Sequence, residues 1–313
     1  MKRILISAMF FAFMLTTINA EAVSMKKVNF SSNGQTIVGN LYLPDSYKQG
    51  DKLPGVVVTG AWTTVKEQMP ATYAKAMAER GFAVLTFDFR GWGESKGGVQ
   101  YLENPARKIE DIKAAAAFLA ARPEVQGPVN GIGICASSGY MSDAAAGNPD
   151  IKAITLVAPW LHDRAMAEAI YGGKEGVANL IKMGREAENS DTPVVMEAAS
   201  TSNDKALMFN APYYTETERG LIPEYDNKFN VASWEGWLTY DAQKTADIQD
   251  TPVLMVESEA AALPAGAKAY AERMGKNVEI IWLDDVSQFD FYDRPEAVKA
   301  SADAAAEHFS ACR

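Results

Sequence analysis

The chain has 313 residues, 48% hydrophobic and 22% charged, with a formal net charge of −10. Those proportions support a globular protein with a sizeable core and exclude a disordered or collagen-like chain. The acidic balance comes without a basic patch, which argues against nucleic acid as a partner.

The N-terminus reads MKRILISAMFFAFMLTTINAEA. Lys2 and Arg3 lead into an apolar run from Ile4 to Ile18, followed by small residues suited to cleavage. This pattern predicts a secretory signal over residues 1–20. The run falls short of the ~20 residues a membrane span needs. Removing residues 1–20 takes Lys2 and Arg3 with it and shifts the net charge from −10 to −12. The expectation is a periplasmic or secreted protein, off the membrane once the signal is cleaved.

Residues 26–44 predict a hairpin turning at Asn33-Gly34. LPGVVVTG is a buried strand, KEQMPATYAKAMAERG a helix and FAVLTFDFRG a strand. ARKIEDIKAAAAFLAARP is an alanine-rich helix, VNGIGIC a strand, SSGYMSDAAAG a helix and IKAITLVAP a sixth strand. From Leu161 to Asp250 helical pieces and aromatic turns replace the sheet pattern. Two strands, TPVLMVESE and NVEIIWLDD, then resume it, each followed by a helix. The alternation predicts a mostly parallel sheet with helices on both faces. The divisions are a signal at 1–20, core at 21–160, a helical cap at 161–250 and core again at 251–313.

GIGICASSGY, from Gly131 to Tyr140, carries the chemistry. A strand breaking sharply into a helix around a nucleophile needs small residues two positions to either side. Two registers satisfy this. One puts Cys135 at the tip, the other Ser137. The strand running to Ile134, with Ser137 as the helix cap, favours Cys135. A thiolate there would gain from the helix dipole. The backbone N–H of Ala136 would face a developing oxyanion. The other cysteine, Cys312, is penultimate. No disulfide to Cys135 is expected, although export permits one.

With these residues in view, the chain resembles the α/β-hydrolase superfamily, and within it the dienelactone-hydrolase-like branch that uses a cysteine in this elbow. FDFRGWGES, residues 87–95, resembles that family's D-x-R-G-x-G-x-S loop. VVVTGAWTTVKEQ resembles the strand and loop that supply the second oxyanion donor, here Ala61 or Trp62. The inserted segment sits where the family places its cap, after strand six. The resemblance implies the α/β-hydrolase fold and a nucleophile–acid–histidine triad.

The triad is where the chain departs. The family's acid position after strand seven holds Ala260 or Ala261, with Glu257 and Glu259 nearby. The loop after strand eight reads DDVSQFDFYD, which puts Gln288 in the histidine position beside Asp290, Tyr292 and Asp293. Glutamine has no titratable nitrogen and cannot take a proton from a thiol. The chain has two histidines. His308 lies in the last helix and reads as structural. His162 follows strand six at the ligand-binding edge of the sheet, and reads either as a displaced base or as a cap anchor.

Two function classes follow. One is a hydrolase or acyl transferase acting on a small ester, lactone or related carbonyl compound. Its catalytic residues would be Cys135, His162 and Gln288, with Glu257, Glu259 or Asp290 as acid. The other is a hydrolase-fold protein that binds a small apolar ligand without turnover. No metal spacing, phosphate loop or dinucleotide fingerprint occurs, so no cofactor or metal is expected. The expected partner is a small molecule, in a monomer or a homodimer.

Overall fold

The computed structural model describes residues 23–312. The chain opens with a hairpin of β1 (Val23–Ser32) and β2 (Gln35–Pro44). Its two turn residues, Asn33 and Gly34, have φ of 47° and 76°. That pair of positive φ values is the turn whose twist matches the flanking strands. Alternation then runs through β3 (Leu53–Thr59), α1 (Met69–Ala78), β4 (Ala83–Phe87), α2 (Pro105–Ala120), β5 (Val125–Ile134), α3 (Ala136–Ala145) and β6 (Ile151–Val157). The first helix is shorter than its periodic pattern because Pro70 can only sit in a first turn.

The sheet closes with β7 (Val253–Glu257) and β8 (Val278–Trp282), in the order β1-β2-β4-β3-β5-β6-β7-β8. β2 runs antiparallel to both its neighbours, and β3 to β8 pair in parallel. β4 and β7 are buried along their whole length, as strands covered on both faces must be. Helix α1 packs against the C-terminal helix Pro295–Ala311, and α2 packs against α3.

Between β6 and β7 the chain leaves the sheet. Here lie α4 (Arg164–Ile170), α5 (Gly173–Glu188) and the short helix Ser233–Thr239. The insertion is not purely helical. Val195–Glu197 pairs with Lys228–Asn230, and Ala199–Ser200 with Met208–Phe209. Strands of two or three residues carry no readable alternation, so the sequence pattern does not announce them. Among the described residues, no helix is long and apolar enough to cross a membrane.

The loop from Asp88 to Ser95 is a structural brace. The Asp88 carboxylate accepts from the backbone N–H groups of Lys66 and Glu94 and from the Lys66 ammonium at 2.7 Å. Lys66 is completely buried and also pairs with Glu67 and Glu94. A side chain at Gly93 would strike the Asp88 carboxylate. Arg90 pairs with Asp111 and Glu110 on α2, and the Ser95 hydroxyl accepts from Val38 of the hairpin. The loop thereby fixes residues 60–66, which carry Ala61 and Trp62.

Candidate active site

Cys135 occupies the break between β5 and α3, with φ 57° and ψ −119°. A non-glycine residue rarely holds such a backbone, and it persists only where the surroundings impose it. Gly133, two residues before it, leaves room for the turn, and Gly60 for the neighbouring loop. A Cβ on Gly133 would fall 2.6 Å from the Ser137 carbonyl, and one on Gly60 would meet Thr64 and Pro70. The helix begins at Ala136, so Cys135 itself is the N-cap and Ser137 lies inside the first turn. Ser137 is buried, and its hydroxyl donates to the Gly60 carbonyl. That bond ties the elbow to the loop of Trp62.

The Tyr292 hydroxyl and the backbone N–H groups of Ala136 and Trp62 pull the Cys135 thiol pKa down. They favour the thiolate, but burial outweighs them and pushes the thiol pKa up. Of Ala61 and Trp62, the backbone N–H that bears on this thiol is that of Trp62. Ala61 is buried, and its carbonyl accepts from the Thr64 hydroxyl at 2.6 Å.

The sulfur borders a cavity of about 370 Å³ at the carboxyl ends of the strands, the edge where α/β sheets bind ligands. From the core it is lined by Trp62, Cys135, Ala136, Ala262, Gln288, Phe289 and Tyr292, and by Trp160 just after β6. From the cap come Ile170, Tyr171, Leu207, Met208, Tyr214, Trp234 and Trp237. Trp62 stacks on Trp237 with centroids 4.7 Å apart. The other cap aromatics, Tyr213, Tyr225, Phe229 and Tyr240, are buried in packing away from the cavity wall.

A family model described as X-Pro dipeptidyl-peptidase (S15 family) matches residues 33–263. The chain belongs to that family. The S15 family lies within the α/β-hydrolase superfamily, and the sheet order and elbow described above are those of an α/β-hydrolase fold. A Pseudomonas aeruginosa relative, protein PA2218, is 28% identical over 290 residues, covering 88% of this chain and 78% of that one. Its crystal structure superposes with a TM-score of 0.81 at 26% identity, covering 99% of this chain and 100% of that one. The thiohydrolase aneE of Aspergillus aculeatus is 27% identical over 228 residues, 67% of this chain and 69% of that one. A dienelactone hydrolase from Anabaena variabilis shares the fold alone, with a TM-score of 0.56 and 13% identity over 92% of this chain and 98% of that one.

In this S15-family chain, Gln288 is locked into the wall of the cavity. Its Oε1 accepts from the Ala262 N–H at 3.0 Å, and its Nε2 donates to the Ala158 carbonyl and to the Tyr292 hydroxyl, each at 3.0 Å. His162 is buried but is not among the residues lining the cavity. Its Nε2 lies 3.1 Å from the Trp237 carbonyl and its ring packs on Trp237 at 4.5 Å, while Nδ1 has no partner. Burial lowers its pKa. His308 touches the Pro252 carbonyl at the opposite end of β7.

The three carboxylates proposed as acids stand apart from the cavity lining. Asp290 is held by the Ser287 N–H and hydroxyl, at 2.9 and 2.6 Å. Glu259 is largely exposed and pairs with Lys268 at 2.6 Å. Glu257 is fully buried at the end of β7, with Oε2 unpartnered, and burial pushes its pKa up to about 7. Both cysteines are free. Among the described residues, no group of three histidines, cysteines or carboxylates is placed to hold a metal ion.

Sequence reasoning underrated Tyr292, noted only as a neighbour of Gln288, and passed over Trp160 and Ala262. Gln288 meets Tyr292 across the turn that leads into the short helix Asp290–Asp293, a contact that spacing alone does not announce. Trp62 and Trp160 line the cavity, while the indole N–H of each is buried without an acceptor.

Proposed function

We propose that this protein is a thiol-dependent acyl-transfer enzyme, with Cys135 as nucleophile, acting on activated acyl donors and above all on thioesters. The observation that carries the reading is the imposed backbone at Cys135, with Ala136 and Trp62 lining the same aromatic cavity. Their two backbone N–H groups are the kind of donors a tetrahedral oxyanion requires. Donor class follows from what the cavity wall lacks. An amide or alkyl ester needs a proton delivered to a strongly basic leaving group, a task for an imidazole. No histidine lines this cavity. A thiol leaves as a thiolate with an ordinary pKa near ~8.5, and needs far less help. The thiohydrolase named among the relatives is consistent with that class.

The cavity suits an apolar or aromatic acyl group. A benzoyl or acyl thioester of N-acetylcysteamine, mixed with the protein, should leave an acyl adduct on Cys135 by intact mass, and Cys135→Ala should leave none. If the wild type stays unmodified and releases thiol no faster than Cys135→Ala, the enzymatic reading is lost.

The burial that pushes the thiol pKa up favours a second reading, a binder without turnover. It requires ligand to quench the tryptophan cluster equally in wild type and Cys135→Ser, with no adduct in either. The N-terminal segment supports export as a further proposal. A mature protein beginning near Glu21 or Val23 is the expected outcome, and a full-length exported chain would refute it.

A further inference from the structure

We propose that Thr64 is a positioning residue, whose side-chain hydroxyl aims the backbone N–H of Trp62 into the cavity that holds Cys135. Its effect on catalysis rests on the acyl-transfer reading above.

One peptide group decides the direction. The Ala61 carbonyl and the Trp62 N–H belong to the same planar trans amide, so they point in opposite directions. Whatever holds the carbonyl therefore sets the N–H. The Ala61 carbonyl accepts from the Thr64 hydroxyl at 2.6 Å, and from the Thr64 N–H only at 3.4 Å. The longer contact lies outside the usual range of an N–H···O bond, so the hydroxyl is the main hold. It sits on the buried side of the turn, since Thr64 is 5% exposed. A Cβ on Gly60 would fall 2.6 Å from this same hydroxyl oxygen, so glycine there leaves the hydroxyl its place.

The two ends of the loop are pinned by other groups. Upstream, the Ser137 hydroxyl of the elbow helix donates to the Gly60 carbonyl. Downstream, the Val65 N–H donates to Gln68 Oε1 at 3.0 Å and the Lys66 N–H to Asp88 Oδ1 at 2.8 Å. The amide between Ala61 and Trp62 is left to Thr64. The next residue, Thr63, is β-branched and holds φ at 62°, a backbone that only its surroundings impose. The turn therefore has strain to release once the hold is removed. Among the described residues, the Trp62 N–H donates to no backbone carbonyl. Trp62 lines the cavity with Cys135 and Ala136, and its N–H pulls the thiol pKa down.

In acylation, Cys135 gives its proton to solvent and its sulfur bonds to the carbonyl carbon of a thioester. The carbonyl electron pair moves onto oxygen, where the Trp62 N–H meets it. The pair then returns, the bond to the leaving sulfur breaks, and the departing thiolate takes a proton from solvent. Thr64 neither gains nor loses a proton in these steps.

The experiment is single-turnover acylation by the benzoyl thioester of N-acetylcysteamine in wild type, Thr64→Val and Thr64→Ser. Valine keeps the shape without the hydroxyl, and serine keeps the hydroxyl. Loss of one oxyanion donor costs about 100- to 1,000-fold in rate, and a misaimed donor costs part of that. Thr64→Val should lower the maximal rate about tenfold or more. The half-saturating concentration should stay within about twofold, because charge gathers on the oxygen only as the sulfur adds. Thr64→Ser should restore most of the maximal rate. A wild-type maximal rate in Thr64→Val, or a Thr64→Ser as slow as Thr64→Val, would overturn the proposal. If Thr64→Val does not fold, Thr64→Ala takes its place under the same criteria. Absence of any wild-type adduct sinks the acyl-transfer reading itself, and alkylation of Cys135 by iodoacetamide then judges Thr64. Slower alkylation in Thr64→Val, with Thr64→Ser at the wild-type rate, supports the positioning, and equal rates in all three proteins overturn it.

Discussion

Gln288 donates a 3.0 Å hydrogen bond to the hydroxyl of Tyr292, four residues further on. A position that resembles the histidine slot of a hydrolase triad is thus filled by a residue engaged on every side, with a phenol beside the thiol.

Restoring an imidazole should therefore not restore a triad. In Gln288→His the Ala262 N–H loses its acceptor, and a buried donor left unpaired costs about 1–3 kcal/mol. Asp290 is committed to Ser287 and Glu259 to Lys268, and Glu257 is buried off the cavity wall and held towards its neutral form, so none of the three stands ready to orient the ring. The expected outcome is a lower denaturation midpoint and no gain in ester hydrolysis. A tenfold gain in turnover would contradict this account.

His162 should act on stability and leave the thiol alone. Its pKa is lowered by burial, so the folded state favours the neutral ring. That stability is fully present above pH ~6.5 and is lost as the pH falls through the lowered folded value. His162→Gln should abolish the extra loss, so the stability gap between the two proteins should narrow from pH 7.5 to pH 5.5. Alkylation of Cys135 should follow one pH curve in both. Diverging curves would return His162 to the chemistry.

Glu257 should show the opposite slope. Its folded pKa of about 7 lies above the ordinary 4.5. The neutral carboxyl is therefore fully favoured below pH ~4.5, and stability is lost as the pH rises through about 7. Glu257→Gln keeps the shape without the charge. It should match the wild type near pH 4.5 and exceed it at pH 8 by at most about 3 kcal/mol. Urea titrations at both pH values measure this, and equal gaps would refute it.

Much of this was legible in residue order. Asn33-Gly34 marked the hairpin because few other dipeptides tolerate two positive φ values. The small residues around Cys135 marked the elbow, because larger ones would collide there. The place of His162 was not legible. It depends on Trp237, 75 residues away, whose carbonyl and ring claim the imidazole. The pairing of Gln288 with Tyr292 was not legible either, because it forms across a turn just before the helix Asp290–Asp293. The cap ribbons were hidden by their shortness, and the unpartnered indoles by the fact that only a fold shows which acceptors are missing.

The sheet edges and the cap divide the labour of the cavity. Cys135, the backbone donors and the Gln288–Tyr292 pair sit on loops anchored at strand ends, whereas Ile170, Leu207, Met208, Trp234 and Trp237 belong to the insertion between β6 and β7. On the acyl-transfer proposal, changes confined to the insertion would alter which acyl groups enter while the elbow keeps its shape, so the range of substrates and the kind of reaction would be set by separate stretches of one polypeptide.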